Sequence, residues 1–271
     1  MRRALSLSLV FILLAVVPAW AKTPSEPSLT AQSYAVVDIA DGLILHGKMP
    51  NKHLPPASTA KVMTVLVAMD FLPADFPVKI GRNAVNTSSS KAGLTRGGAY
   101  SASDLVKACL VASSNDAAVA LAEAVAGTEA RFADLMNERA KKLGMNDTRF
   151  ANATGLTNTR GRQYTTAYDL TKLMREAIKN KRIDEMMGLL ETQIRGSDGR
   201  TITLRAHNKM LWKTPKFVKG KTGWTTASRH TFMGTNYESH KSIAFAILSS
   251  KKPWADIERL ASFGVVLARK H

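Results

Sequence analysis

Residues 55–71 read PPASTAKVMTVLVAMDF, two prolines followed by a long run rich in Val, Met, Leu and Ala. Proline stops the preceding chain, and the run predicts a helix from about Thr59 to Phe71. On a helix, Ser58 and Lys61 lie three residues apart and share one face. A serine at a helix start lies at the positive end of the dipole, and a lysine among apolar side chains loses its proton more easily than in water. The stretch therefore predicts a nucleophile beside a base.

The chain on both sides of this helix predicts an antiparallel sheet. Before the helix, Ser33 to Ile39 is typical of a strand, Asp41-Gly42 of a hairpin turn and Leu43 to His46 of the returning strand. Strand patterns return late in the chain, in Thr192 to Arg195, Thr201 to Leu204, His230 to Thr235 and Ser242 to Ser249.

Helical patterns fill the middle and the end of the chain. They cover Ser103 to Val111, Asp116 to Ala126, Thr128 to Leu143, a helix that begins at Thr166, and Trp254 to Ala268. The order of strands, helices, strands and a closing helix predicts an α/β protein of the α+β type. In it the first strands pair with the last and the helices form an inserted subdomain.

The composition is that of a globular protein with an excess of basic residues. The 271 residues include 38 Lys or Arg and 21 Asp or Glu, for a formal net charge of +17, and 45% are hydrophobic. This charge favours polyanions without identifying one. The single cysteine, Cys109, excludes a disulfide framework and a thiolate zinc cluster, and it is typical of a small core residue.

The first residues have the pattern of a secretory signal peptide. A basic start, Met1-Arg2-Arg3, precedes the apolar run from Leu5 to Val17, and Ala19-Trp20-Ala21 has the form of a signal peptidase site. The apolar run is shorter than the roughly 20 residues that span a bilayer, although an uncleaved anchor is the alternative. The sequence thus predicts a signal peptide over residues 1–21 and a single catalytic domain over 22–271, exported to the periplasm or cell envelope.

Two further motifs contain residues that suit acyl transfer. Ser113-Ser114-Asn115 lies between two predicted helices, and Lys221-Thr222-Gly223, followed by Trp224 and Thr225, lies in a late strand. Taken singly, each motif has a structural explanation: a helix cap for the first, an edge strand with a glycine kink for the second. The Ser-x-x-Lys pattern also recurs at Ser88 and Ser249, where a capping serine with a solvated lysine is the simpler interpretation.

Together the three motifs resemble a known family. Ser-x-x-Lys, a serine/asparagine triplet and Lys-Thr-Gly form the signature of penicillin-binding proteins and class A β-lactamases, and here they occur in that order. The chain resembles the low-molecular-mass penicillin-binding proteins, which are serine D-alanyl-D-alanine carboxypeptidases and related endopeptidases. The resemblance extends over most of residues 22–271 and includes the stretches Asn137 to Met145, Thr148 to Phe150 and Gly155-Leu156. It implies the β-lactamase/transpeptidase-like fold.

The resemblance implies a role for each motif residue. Ser58 attacks the carbonyl between two terminal D-alanines, and Lys61 takes its proton. Ser113 passes a proton to the departing amine, and Asn115 holds Lys61 and the substrate amide. The remaining residues receive the terminal carboxylate or complete the oxyanion hole: Lys221, Thr222, Gly223, Trp224 and Thr225.

The resemblance also implies the partners. They are peptidoglycan stem peptides, with β-lactams as covalent inhibitors. No metal or other cofactor is implied, because none of the six histidines forms a pair at ligand spacing. Nucleic-acid binding rests on charge alone, and the export signal opposes it.

Three alternatives remain open at this stage. A D,D-endopeptidase that cleaves cross-links uses the same residues. A class A β-lactamase needs a glutamate after the second motif, and the sequence from Arg139 to Arg175 contains none. A non-catalytic binder of anionic envelope polymers would not need intact motifs. One departure concerns specificity: where many relatives have an Ala-Gly pair, this chain has Ala227-Ser228-Arg229.

Overall fold

The protein is described by a computed structural model that covers residues 25–157, 162–213, 218–238 and 241–270. Its centre is a five-stranded antiparallel sheet in the order β2-β1-β9-β8-β7. In chain order the strands are β1 Ser33–Asp38, β2 Ile44–Lys48, β3 Pro77–Lys79, β4 Ala99–Ser101, β5 Glu191–Arg195, β6 Thr201–Arg205, β7 Val218–Thr225, β8 Arg229–Glu238 and β9 Lys241–Ser250. Strands β3 and β4 form one small ribbon, and β5 and β6 form another.

The helices lie mostly between β2 and β7. They are α1 Ala60–Phe71, α2 Arg82–Asn86, α3 Ala102–Leu110, α4 Asn115–Ala126, α5 Glu129–Lys142, α6 Ala167–Ala177, α7 Lys181–Met187, α8 Met210–Lys213 and α9 Pro253–Ala268. Thr166 begins α6 as predicted, since its side chain accepts the backbone N–H of Asp169. No helix among these described residues is both long enough and apolar enough to span a bilayer.

The sheet separates two buried clusters because its side chains alternate between the faces. Ala35 and Val37 of β1 pack with the helices inserted in the chain, whereas Val36 packs with Ile257 and other side chains of α9. Helix α1 lies inside the larger cluster, with every residue from Ala60 to Ala68 buried. This burial fixes the position of the residues at its start.

The predicted architecture is confirmed. The first strand pairs with the last, with Ala35 opposite Ala246, and the helices are inserted between the early and late strands. The sequence does not predict β3, β4, α2, α7 and α8, each of which has seven residues or fewer. The predicted signal peptide lies outside the described residues.

Candidate active site

Ser58 lies in a 3-10 turn, Ala57–Thr59, that leads directly into α1. The sequence predicts a helix from Thr59, and the structure begins the α-helix at Ala60 after this tighter turn. Ala57 has a φ of +48°, a left-handed conformation that costs a non-glycine residue free energy. The Pro56 carbonyl accepts the hydroxyls of Thr59 and Thr231, at 2.6 and 3.2 Å. These bonds hold a strained turn in place.

Lys61 is fully buried beside Ser58. Its Nζ donates to Ser58 Oγ at 2.9 Å and to the Thr154 carbonyl at 2.8 Å. Desolvation lowers the pKa of Lys61 to about 8, although the carboxylates of Asp116 and Glu129 oppose the shift. A lysine with this pKa exchanges its proton near neutral pH. The 2.9 Å distance between Nζ and Ser58 Oγ also allows the neutral amine to accept the Ser58 proton.

A second lysine–serine pair lies in the same site. Lys221 of β7 is 1% exposed, and its Nζ donates to Ser113 Oγ at 2.8 Å and to the Thr222 carbonyl at 2.7 Å. Desolvation holds the pKa of Lys221 well below its usual value, and the nearby Lys61 cation lowers it further. Ser113, between α3 and α4, has a φ of +56°, which is unusual for serine and typical of strain at functional sites.

Two glycines allow the backbone to approach the Ser58 turn closely. A Cβ on Gly223 of β7 would lie 2.9 Å from the Ser58 backbone nitrogen and collide with the Thr231 hydroxyl. Gly155 has a φ of +79°, and a Cβ there would collide with the Ala57 carbonyl. The turn is therefore packed between a strand of the sheet and the loop after α5.

Asn115 holds a loop rather than Lys61. Its Nδ2 donates to the Ser88 and Ser89 carbonyls at 2.9 and 3.1 Å, and its Oδ1 is buried without a hydrogen-bond partner among the described residues. The expected bond from Lys61 to Asn115 is not among the hydrogen bonds of the described chain. Because Nδ2 faces two carbonyls, Oδ1 is the atom left to accept an incoming donor.

A cleft of about 470 Å³ runs over these groups. Its wall includes Ser58, Ser113, Thr222 and Gly223, and it continues to residues at the start of β8 and the start of α9. No Asp or Glu is among its described lining residues. Asp147 instead contacts His53 at 3.0 Å, and Asp169 accepts the backbone N–H of Asp147. The described lining of the cleft thus offers no carboxylate that could act as a base.

Sequence reasoning missed several residues of the site. The Thr154 carbonyl, which accepts from Lys61, is positioned by Asn152, whose Oδ1 accepts the backbone N–H groups of Thr154 and Gly155. Gly155 could have been identified from the sequence, because it belongs to a stretch that resembles the family. His207 and Trp254 line the cleft without any motif that marks them. Cys109 is buried, as expected, and burial raises the pKa of its thiol to about 12.

The chain is similar in sequence to known D-alanyl-D-alanine peptidases. Residues 20–252 match the peptidase S11 family, described as D-alanyl-D-alanine carboxypeptidase. The D-alanyl-D-alanine carboxypeptidase DacF of Bacillus subtilis is 28% identical over 277 residues, which cover 97% of this chain and 71% of the relative. A D-alanyl-D-alanine endopeptidase of Escherichia coli is 30% identical over 254 residues, 90% of this chain and 80% of the relative.

Solved structures show the same fold. An evolved putative penicillin-binding protein homolog from Mycobacterium tuberculosis superposes with a TM-score of 0.87 at 27% identity, covering 93% of this chain and 97% of the other. The antiparallel sheet with inserted helices is therefore shared with penicillin-binding proteins.

Proposed function

The chain belongs to the peptidase S11 family of D-alanyl-D-alanine carboxypeptidases, and from that premise we propose that it removes the terminal D-alanine of peptidoglycan pentapeptides through an acyl-enzyme on Ser58. The observation that carries the proposal is the pair of buried lysine–serine contacts in one cleft, Lys61 with Ser58 and Lys221 with Ser113.

Acylation begins with proton transfer from Ser58 to Lys61. The lowered pKa of Lys61, about 8, gives a useful fraction of neutral amine near neutral pH. Ser58 Oγ then attacks the carbonyl carbon of the penultimate D-alanine. The backbone N–H groups of Ser58 and Trp224 stabilise the oxyanion, and the close approach of Gly223 to Ser58 supports this placement.

The second pair serves the leaving group. Ser113 passes a proton to the departing amine, and Lys221 orients Ser113 through their 2.8 Å contact. Lys221, Thr222 and Thr225 receive the terminal carboxylate, since they lie on β7 at the edge of the sheet beside the cleft. As an edge strand of the sheet, β7 also presents its outer side to an extended peptide. Asn115 Oδ1 accepts from the substrate amide or from Lys61.

Water then hydrolyses the ester of the peptide acyl-enzyme. The cleft favours slow hydrolysis of the ester that a β-lactam forms with Ser58. A penicillin keeps its amine leaving group tethered after ring opening, so fast hydrolysis needs a dedicated base for the water. No carboxylate lines the described cleft, and Asp147 and Asp169 are engaged elsewhere. This supports a peptidase over a class A β-lactamase.

We infer export to the periplasm or cell envelope from the signal-peptide pattern of residues 1–21, with residues 22–271 as one catalytic domain and the basic surface favouring peripheral association with the envelope. The substrate, peptidoglycan, lies outside the cytoplasm, which agrees with this placement.

The test uses two substrates of the same site. Intact-protein mass after addition of benzylpenicillin should show one adduct on Ser58 that decays slowly, and incubation with pentapeptide should release D-alanine. An adduct lost within seconds, with the loss abolished by Asp147→Asn or Asp169→Asn, would favour a lactamase. Absence of both adduct and D-alanine release would contradict the proposal.

A further inference from the structure

One part of the cleft wall belongs to no helix or strand. Residues 88–94, which we call the cleft loop, follow α2, and Ser89 and Ser90 line the same cleft as Ser58. Ser89 has a φ of +44° and Ser90 a φ of +33°, left-handed conformations that cost a serine free energy. Backbone strain of this kind persists only where surrounding contacts hold the chain. The contacts of the cleft loop therefore decide the shape of this wall.

The first half of the cleft loop is held by Asn115, the first residue of α4. Its backbone N–H donates to the Ser90 carbonyl at 2.8 Å, and its side-chain amide donates to the Ser88 and Ser89 carbonyls. All three acceptors belong to the loop, so the orientation of the Asn115 side chain depends on where the loop lies. In the proposed function, the same side chain accepts from the substrate amide or from Lys61. The position of the cleft loop therefore matters for acylation.

The second half of the cleft loop is held by Asp116, the next residue of α4, which is 1% exposed. Its Oδ1 accepts the backbone N–H of Ala92 at 3.0 Å, and its Oδ2 accepts those of Gly93 and Leu94 at 2.9 and 3.2 Å. Hydrogen bonds to an ionised carboxylate are about twice as strong as neutral ones. Three such bonds to successive residues make Asp116 the anchor of the loop, and through the loop Asp116 acts on Asn115.

Asp116 also supplies negative charge near the base. The titratable groups that interact with Lys61 include Cys109 of α3, Asp116 of α4, Glu129 of α5, His207 and Lys221 of β7. Burial raises the pKa of the Cys109 thiol to about 12, so this thiol is neutral near pH 8. The anions of the group are then the two carboxylates. Desolvation lowers the pKa of Lys61 to about 8, and the carboxylates oppose that shift by favouring the ammonium form.

We propose that Asp116 is a positioning residue for the acylation of Ser58: it holds the cleft loop, and with it the Asn115 side chain, and it keeps a negative charge near Lys61. The inference rests on the proposed function, in which Lys61 accepts the Ser58 proton. Asp116 acts through other residues, because its carboxylate accepts backbone N–H groups and it is not among the described lining residues of the cleft. Its charge and its shape can be changed separately, so the two effects can be measured separately.

The test measures the rate constant for acylation by benzylpenicillin against pH in two variants. Asp116→Asn removes the charge, so the midpoint of the pH profile should fall by about half a unit or more, because Lys61 loses a neighbour that favours its cation. The plateau should also fall, about threefold or more, since the new amide nitrogen cannot accept a loop N–H. Asp116→Glu keeps the charge but is longer by one methylene group, which displaces the loop. It should keep the midpoint of the wild type and lower the plateau.

Asp169→Asn is the matched control. Asp169 is likewise buried in the first turn of a helix, and it accepts the backbone N–H of Asp147 at 3.0 Å. It is not among the groups that shift the pKa of Lys61, so both midpoint and plateau should stay at the wild-type values. Hydrogen exchange on the wild type needs no variant. The Gly93 and Leu94 amides should exchange much more slowly than the amides of exposed loops, because Asp116 accepts both.

The outcomes separate this inference from the proposed function. An unchanged midpoint in Asp116→Asn, a wild-type plateau in both Asp116 variants, or an equal loss of rate in Asp169→Asn would overturn the role of Asp116 while the wild type still forms its adduct. If neither Asp116 variant folds, fast exchange of the Gly93 and Leu94 amides in the wild type would still overturn the anchor. A wild type that forms no penicillin adduct would instead overturn the proposed function.

Discussion

The two lysine–serine pairs of the cleft are alike in contact and different in origin. Lys61 and Ser58 are three residues apart, and Lys221 and Ser113 are 108 apart, yet their contacts measure 2.9 and 2.8 Å. The first pair joins residues of one turn, although the Thr231 hydroxyl also helps to hold that turn. The second requires the sheet and the helical part to pack together. One site thus combines a local pair with a pair made by tertiary structure.

Breaking the local pair should have the largest effect. Ser58→Ala should reduce pentapeptide turnover by about 10⁴-fold or more, because it removes the atom that forms the acyl-enzyme. Mass spectrometry should find no penicillin adduct, and thermal unfolding should remain cooperative.

Ser88→Ala is the control for this change, since Ser88 and Lys91 show the same spacing and the Ser88 side chain is exposed. The Ser88→Ala variant should still form the penicillin adduct on Ser58. Turnover near wild type in Ser58→Ala would show that Ser58 is not the nucleophile.

Breaking the distant pair should reduce activity less than breaking the local pair. Lys221→Met keeps the apolar stem and removes the cation, so kcat/KM should fall about 10²–10³-fold, the range for loss of one preorganised electrostatic group. Lys219→Met is the control on the same strand, because Lys219 Nζ donates to Asp184 at 2.7 Å rather than to Ser113. A loss below about tenfold in Lys221→Met would remove Lys221 from the proposed role.

The pKa of the local lysine predicts a pH dependence. Only neutral Lys61 accepts the Ser58 proton, and its pKa of about 8 lies above neutral pH. The rate constant for acylation by benzylpenicillin should therefore rise about tenfold from pH 6 to pH 7 and level off above about 8. Stopped-flow measurements, with circular dichroism to verify the fold at each pH, provide the test. A flat profile would contradict Lys61 as the base.

The sequence predicted the local pair better than the distant one, for a physical reason. The spacing of Ser58 and Lys61 on one helical turn follows from helix geometry, so the contact can be read from sequence. Ser113 and Lys221 meet only through packing, and it was the resemblance to a family that assigned them to one site. Two contacts could not be predicted from the sequence: those of Asn115 with the Ser88 and Ser89 carbonyls, and that of Lys61 with the Thr154 carbonyl. Each uses a backbone carbonyl, which every residue has.

The smallest effect should arise in the hairpin that follows Lys221. Arg229, in the hairpin between β7 and β8, has a φ of +55°, a left-handed conformation that is unusual for a residue other than glycine. Arg229→Gly should stabilise the fold by about 1 kcal/mol, since relief of left-handed strain exceeds the added entropy of the unfolded chain. The expected rise in Tm is about 2–4 °C by calorimetry.

Thr87→Gly is the comparison for that change. Thr87 has a φ of −60°, where glycine relieves no strain, so its Tm should fall. A lower Tm in Arg229→Gly would show that the arginine side chain stabilises the hairpin by more than its backbone strain costs.

The two glycines beside the Ser58 turn limit how this protein can change over evolution. Gly155 and Gly223 come from different parts of the chain, and a single methyl group at either would collide with the nucleophile turn or its neighbours. A variant that escapes β-lactams by reshaping this wall cannot do so through these two positions without displacing Ser58. A side chain at the outer part of the cleft meets no such obstacle, since Trp224 is 59% exposed.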